Sequence, residues 1–214
     1  MSNSHATKDL YNKYGIIYSL LTTLTGYRGS IQRAISRLEI ELPKNPRILD
    51  LGCGTGLATQ MLLEKFRDSE ITGFDLSEKM LEAYLKKFPN ANALVGDFNN
   101  HEVFSFPEKK PVSIENCFDF VISTGAISEY GDLEQAIPFV YNILKTDGLF
   151  INLGNNTNSL INKLAEKIWN FKCQDPEKFA DICEKYFFSN VHFSKIPFSA
   201  LPANFMKYAL LARK

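Results

Sequence analysis

The chain has 214 residues, 45% of them hydrophobic, and its 24 Lys and Arg residues balance its 24 Asp and Glu residues. This length suits one α/β domain, and zero net charge argues against a nucleic-acid-binding surface. The Cys and His residues lack metal-ligand spacing, so we expect no metal. No apolar run reaches the roughly 18 residues of a membrane span, so we expect no membrane span. The first residues lack a signal-peptide pattern, so we expect a cytoplasmic location.

The N-terminal residues predict two helices. Apolar residues recur at three- and four-residue spacing over 10–21, which gives one apolar helix face. Gly26 interrupts this pattern, and a second helix is predicted over 30–40. We therefore expect residues 1–42 to form an N-terminal helical lid ahead of the rest of the chain.

From residue 47 the chain alternates between short apolar runs and amphipathic segments. This order is typical of βαβ units with a parallel sheet buried on both faces. The segment 99–117 carries prolines and is predicted as an irregular crossover. The predicted strands are 47–51, 70–76, 93–95, 118–124 and 148–153, and the predicted helices between them are 57–67, 77–88 and 133–144.

The C-terminal part changes character. Helices are predicted over 157–169 and 176–187, and strands over 191–198 and 205–213. Strands this close in sequence pair antiparallel. We therefore expect an α/β, Rossmann-like fold with a seven-stranded, mostly parallel sheet, an antiparallel C-terminal hairpin and helices on both faces. A single domain, 1–214, would comprise the N-terminal segment, a core over 43–156, and a helical insert with the hairpin over 157–214.

The first predicted strand runs directly into a glycine-rich turn with the sequence Asp50-Leu51-Gly52-Cys53-Gly54-Thr55-Gly56. Glycine permits positive φ and lets a ligand approach the main chain. The turn also ends at a helix N-terminus, where free N–H groups attract negative charge. This pattern predicts a ligand site at the end of the strand.

Two aspartates follow the next predicted strands. Asp75 lies 19 positions after Gly56, where a carboxylate can accept hydrogen bonds from ribose hydroxyls. Its alternative role is to cap the helix that starts near Ser77. Asp97 can accept from an exocyclic amine and the N–H of Phe98 can donate to a ring nitrogen, whereas the alternative for Asp97 is an exposed turn residue.

The glycine spacing argues against a dinucleotide. The dinucleotide fingerprint requires a third glycine where this chain has Leu57. Asp50 inside the turn would also repel a pyrophosphate. The same carboxylate suits a ligand with a cationic amino-acid end.

The sequence resembles the class I S-adenosylmethionine-dependent methyltransferases over roughly 45–155, through ILDLGCGTG, TGFDLSEKML, LVGDF, FDFVISTGAI and LKTDGLFINLG. The resemblance implies that S-adenosyl-L-methionine is the cofactor and that an antiparallel strand ends the sheet. The sequence departs from the family in the long stretch after Phe98 and in the turn Lys145-Thr146-Asp147-Gly148. The cofactor-binding residues it implies are Asp50, Gly52, Cys53, Gly54, Thr55 and Gly56 at the methionine part, Asp75, Leu76 and Met80 at the ribose and adenine, Asp97 and Phe98 at the adenine edge, and Ser123, Thr124 and Gly125 below the sulfonium.

The acceptor is less well defined, and no residue stands out as catalytic. Glu129 and Tyr130 follow the fourth predicted core strand and are candidate substrate-binding residues, with a plain loop as the alternative. Tyr14 and Tyr18 are candidates for an aromatic lid, with core packing as the alternative. The aromatic content of 13% favours a small, partly apolar acceptor. One alternative remains open, a catalytically silent S-adenosylmethionine-binding protein. A nicotinamide-dependent oxidoreductase is the less favoured alternative, because Leu57 and the antiparallel C-terminal strands argue against it.

Overall fold

A mixed β-sheet flanked by helices forms the centre of the molecule in a computed structural model. The description covers residues 27–37, 39–155, 157, 173–194, 196 and 207–214. Within it the helices are α1 (Tyr27–Arg37), α2 (Leu57–Lys65), α3 (Glu78–Lys87), α4 (Ala126–Tyr130), α5 (Leu133–Ile143) and α6 (Pro176–Lys185). The strands are β1 (Arg47–Leu51), β2 (Glu70–Asp75), β3 (Asn92–Asp97), β4 (Glu102–Ser105), β5 (Phe118–Ser123), β6 (Leu144–Asn155), β7 (Ser189–Ser194) and β8 (Lys207–Arg213).

The order of the strands confirms the Rossmann-like prediction. In the described part of the chain the sheet runs β4-β3-β2-β1-β5-β6-β8-β7. The strands β3, β2, β1, β5 and β6 are parallel to their neighbours within this group. At the far end β8 lies antiparallel between β6 and β7, which is the predicted C-terminal hairpin.

Among the described residues the sheet has eight strands, one more than the seven predicted. The additional strand, β4, lies in the segment predicted as an irregular crossover and pairs antiparallel with β3. A turn joins them, in which the Asp97 carboxylate accepts from the Asn99 N–H and His101 takes a positive φ of 58°. Turn chemistry of this kind favours a hairpin, so the prediction of an irregular crossover was wrong for Glu102–Ser105.

Helices cover both faces of the sheet, as predicted. On one face α5 and α6 bury apolar residues that include Ile137 and Phe179 against the sheet. On the other face α1 and α2 pack through residues that include Ile31, Ile35 and Leu62. Burial of apolar surface on both sides explains why the central strands are almost continuously apolar. Among the residues described, no helix combines the length and apolarity needed to cross a membrane.

Candidate functional site

The glycine-rich turn folds back onto the end of β2. Gly52, Gly54 and Gly56 all have positive φ, at 76°, 51° and 81°. The N–H groups of Gly52 and Cys53 donate to the Phe74 carbonyl at 2.8 and 3.0 Å. The turn is therefore held between β1 and β2 at the carboxyl edge of the sheet, where α/β sheets bind ligands.

Packing requires glycine at two of the three glycine positions of the turn, and the third position is uncrowded. A Cβ on Gly52 would lie 2.2 Å from the Ala126 Cβ, and a Cβ on Gly56 would lie 2.2 Å from the Phe88 ring. These two glycines are required by packing. A Cβ on Gly54 would meet no atom of the described residues within 4 Å, so these residues leave the Gly54 backbone uncovered, as a ligand cradle requires.

Asp50 places a carboxylate under this turn. The side chain is 1% exposed, and its Oδ2 accepts from the Thr59 N–H at 3.0 Å and the Thr59 hydroxyl at 2.7 Å. The hydroxyls of Thr59 and Tyr84 are 3.3 Å apart and share a hydrogen bond. The other oxygen, Oδ1, is buried and has no hydrogen-bond partner among the described residues. Burial raises the pKa of Asp50 to about 6, and an unpartnered buried oxygen suits a cationic ligand group.

Asp75 connects the turn to the start of α3. Its Oδ2 accepts from the Gly54 N–H at 2.9 Å and its Oδ1 from the Ser77 N–H at 2.8 Å. The helix itself is capped by Ser77, whose Oγ accepts from the Met80 N–H at 3.4 Å. Burial raises the pKa of Asp75, against the opposing effect of these N–H groups. Asp75 therefore fixes the turn from the side, while its ribose-binding role stays a prediction.

Asp97 lies buried at the end of β3 and is not the exposed turn residue of the alternative interpretation. Its two oxygens accept from the Asn99 N–H at 2.9 Å and from the Asn100 amide at 3.3 Å. It is 6% exposed, and Phe98 beside it is 9% exposed and packs in the core. The aspartate shapes the β3–β4 turn, and its contact with an adenine amine remains a prediction.

The segment predicted as the cofactor floor follows β5. The Ser123 hydroxyl is buried and accepts from the Ile127 N–H at 3.3 Å, so it binds the start of α4. Gly125 has a φ of 143°, and its carbonyl accepts from the Ser128 hydroxyl at 3.1 Å. The Thr124 carbonyl accepts from the Lys207 ammonium at 3.4 Å. The segment is thus a tight strand-to-helix turn beside the glycine-rich turn.

Glu129 belongs to α4, which replaces the loop of the alternative interpretation. Its Oε1 accepts from the Asn155 amide at 2.6 Å and lies 3.8 Å from the Lys207 ammonium. Asn155 and Lys207 face each other at the ends of β6 and β8. Neither was singled out from the sequence. The available signal was a lone lysine in step with the core residues Ala209 and Leu211.

The remaining predicted residues fall into two groups, those outside the described part of the chain and those that are buried. Tyr14 and Tyr18 fall outside the described residues, as does the side chain of Tyr130. Met80 is buried at the start of α3. Burial raises the pKa of the Cys53 thiol, which keeps it protonated and argues against a nucleophilic role.

Comparison with known proteins agrees with the fold and the turn. Residues 49–150 match the family described as Methyltransferase domain. A malonyl-[acyl-carrier protein] O-methyltransferase of Priestia megaterium is 31% identical over 153 residues, covering 64% of this chain and 52% of the relative. A demethylmenaquinone methyltransferase of Chlorobaculum tepidum is 33% identical over 114 residues, covering 53% of this chain and 42% of the relative. The chain thus spans about half the length of the curated relatives it matches.

Solved structures show the same fold. A methyltransferase structure from Thermotoga maritima superposes with a TM-score of 0.70 at 18% identity, covering 97% of this chain and 99% of that one. A second, from Archaeoglobus fulgidus, gives a TM-score of 0.69 at 18% identity, covering 92% and 99%. The Gly54 cradle and the unpartnered Asp50 oxygen fit the cationic amino-acid end of the methyl donor. The match over 49–150 and the shared fold identify this part of the chain as a methyltransferase domain of the class I, S-adenosylmethionine-dependent type.

Proposed function

We propose that this protein transfers a methyl group from S-adenosylmethionine to a small, partly apolar acceptor by in-line displacement. One observation carries the proposal: the glycine-rich turn follows Asp50, a buried carboxylate with one oxygen unpartnered among the described residues, and its Gly54 N–H donates to the Asp75 carboxylate. A turn with bare backbone at Gly54 and these two carboxylates suits a ligand that presents both an ammonium group and a pair of hydroxyls.

Three parts of the site would hold the cofactor. Asp50 Oδ1 would accept from the ammonium of the methionine part, and Asp75 would accept from the ribose hydroxyls. Asp97 and the Phe98 N–H would bind the adenine edge. The sulfonium supplies an activated methyl group and leaves as a neutral thioether, so the protein's main task is to orient and to exclude water.

The acceptor class rests on the relatives and on composition. The matched relatives are named for a malonyl group on a carrier protein, for demethylmenaquinone and for trans-aconitate. These names differ in chemistry and share no single acceptor. The aromatic content favours a partly apolar molecule, and Tyr14 and Tyr18 would contribute to a lid over it.

Two measurements test the proposal. Calorimetry should show binding of S-adenosylhomocysteine and no binding of NAD. Labelled S-adenosylmethionine should then give methyl transfer when small O–H and N–H compounds are screened. Tighter binding of NAD would contradict the cofactor assignment. Cofactor binding with no transfer across the screen would favour the catalytically silent binding protein instead.

A further inference from the structure

A cluster of three polar side chains lies at the carboxyl edge of the sheet, outside the glycine-rich turn. It consists of Glu129, Asn155 and Lys207, and we name it the Glu129 cluster. The Glu129 Oε1 accepts from the Asn155 amide at 2.6 Å and lies 3.8 Å from the Lys207 ammonium. Three residues from α4, β6 and β8 thus converge on one oxygen.

The cluster adjoins the predicted floor of the cofactor site. A Cβ on Gly125 would lie 2.9 Å from the Glu129 Oε1, so the carboxylate packs directly against the Gly125 backbone. The next residue, Ala126, packs against Gly52 of the glycine-rich turn. Only Gly125 and Ala126 therefore lie between the Glu129 carboxylate and the turn that would hold the methionine part of the cofactor.

The two charged members of the cluster differ in exposure. The Lys207 side chain is 3% exposed, and its ammonium also donates to the carbonyls of Thr124 and Leu153, both at 3.4 Å. The Glu129 side chain is 12% exposed. Glu129 is therefore the charged member of the cluster with more surface available to a ligand.

The carboxylate is also held in one orientation. Both Asn155 and Lys207 contact Oε1. These contacts fix the side chain while the second oxygen, Oε2, keeps its accepting capacity for a ligand donor. We propose that Glu129 binds the N–H or O–H group of the methyl acceptor and takes its proton during transfer, with Asn155 and Lys207 as positioning residues.

This inference rests on the proposed methyl transfer and names its substrate class, an amine or a hydroxyl compound. The acceptor nitrogen or oxygen forms a bond to the methyl carbon as the carbon–sulfur bond breaks, and the electron pair of that bond stays on sulfur. The acceptor proton passes to Glu129 Oε2 and then to water, so no other reactant is needed. A carboxylate acceptor would face Glu129 with like charge and is disfavoured.

The electrostatics agree with a proton-accepting role. Burial raises the pKa of Glu129, against the opposing influence of Lys207 and of the Asn155 hydrogen bond. Burial lowers the pKa of Lys207, which also faces the Cys173 thiol. These are the charged and titratable groups that face the cluster within the described residues. A carboxylate with a raised pKa is a better proton acceptor near neutral pH.

The test uses three ring compounds of similar shape with the protein saturated by S-adenosylhomocysteine. Benzylamine, benzyl alcohol and benzoate carry an ammonium, a hydroxyl and a carboxylate, and ligand-observed NMR measures their binding. We expect benzylamine and benzyl alcohol to bind at least about tenfold more tightly than benzoate. Glu129→Gln keeps the shape and the Asn155 contact and should remove this preference. Glu134→Gln, a change at an exposed acid paired with Lys185, should leave it intact.

The outcomes separate the two proposals. Failure to bind S-adenosylhomocysteine would contradict the proposed function itself. With that complex formed, equal or tighter binding of benzoate, absence of binding by all three compounds, or an unchanged preference in Glu129→Gln would overturn the role of Glu129.

A carbon-13 titration of the Glu129 carboxyl gives a second measurement. Its signal is assigned by its absence in Glu129→Gln. We expect the group to titrate above the ordinary glutamate range, and higher still in Lys207→Met because the ammonium is gone. Titration of Glu129 in the ordinary range in the wild-type protein would overturn the proposal.

Discussion

Asp50→Asn is expected to remove a large part of the pH dependence of folding in the ligand-free protein. The wild-type carboxylate is almost fully buried, and one oxygen has no partner among the described residues. Burial raises its pKa from 3.8 to about 6. An acid with a raised pKa in the folded state binds its proton more tightly there than in the unfolded chain, so the free energy of unfolding falls as pH rises between these two values.

The size of the effect follows from that shift. A difference of about 2 units at about 1.4 kcal/mol per unit gives about 3 kcal/mol of stability, lost between about pH 4 and pH 7. Asparagine carries no charge, so this contribution disappears. Its amide also buries an N–H group without a partner, which costs about 1–3 kcal/mol. Near pH 8 we therefore expect the variant to be as stable as the wild type or more stable by about 1–2 kcal/mol.

Urea denaturation of the ligand-free protein from pH 4 to pH 8 measures the effect. The difference between the wild type and Asp50→Asn reports chiefly on Asp50, because Glu129 contributes equally to both curves and the charge of Asp75 is the smallest of the causes that act on the Asp50 pKa. Asp119→Asn is a control of opposite sign. Burial acts to raise the pKa of Asp119, but hydrogen bonds from Lys145 and the Arg47 N–H outweigh it and lower the pKa. The control should lose stability near neutral pH.

The same variant should bind S-adenosylhomocysteine more weakly. The ligand ammonium would lose a charged acceptor, for which about 1.5–3 kcal/mol is typical. Parallel stability curves for the wild type and Asp50→Asn, or unchanged ligand affinity, would refute the reasoning that Asp50 is a buried carboxylate kept for a cation.

Three further outcomes are expected. Gly54→Ala should cost about 1–2 kcal/mol of stability because of the positive φ at this position, and calorimetry should show reduced affinity for S-adenosylhomocysteine. Gly56→Ala should chiefly destabilise the fold through its clash with Phe88. Normal affinity in Gly54→Ala would contradict the role of the Gly54 backbone in ligand binding. Asp75→Ala should weaken cofactor binding by at most about 3 kcal/mol per lost bond while the chain stays folded; unchanged affinity would leave Asp75 a structural residue. Hydrogen exchange over residues 7–30 should slow when S-adenosylhomocysteine binds, and equal protection in both states would rule out a lid.

The turn and the strands around it could be predicted because their signals are local. Glycines, an aspartate and a buried apolar run within ten residues define the β1 turn, and burial on both faces makes the central strands apolar. The hairpin of β4 was missed because Val103 is the one buried residue in that short strand. Its position depends on close contact with β3, where a Cβ on Gly96 would overlap the Glu102 carbonyl.

The Glu129 cluster could not be predicted for a different reason. Lys207 and the Thr124 carbonyl it contacts are 83 residues apart, and no local pattern links such positions. Predictions that involve Tyr14, Tyr18, the adenine contacts and the cytoplasmic location stay predictions.

The position of β8 within the sheet constrains the order in which the chain can assemble. Among the described pairings β7 joins the sheet only through β8, although β7 precedes β8 in the sequence. During synthesis β7 therefore emerges before the strand that will receive it, and it must wait until β8 has docked on β6. Lys207 arrives with β8, whereas the glycine-rich turn needs only β1, β2 and the helices next to them. A folding intermediate that lacks β8 would thus contain the folded glycine-rich turn, while the Glu129 carboxylate would still lack the Lys207 ammonium.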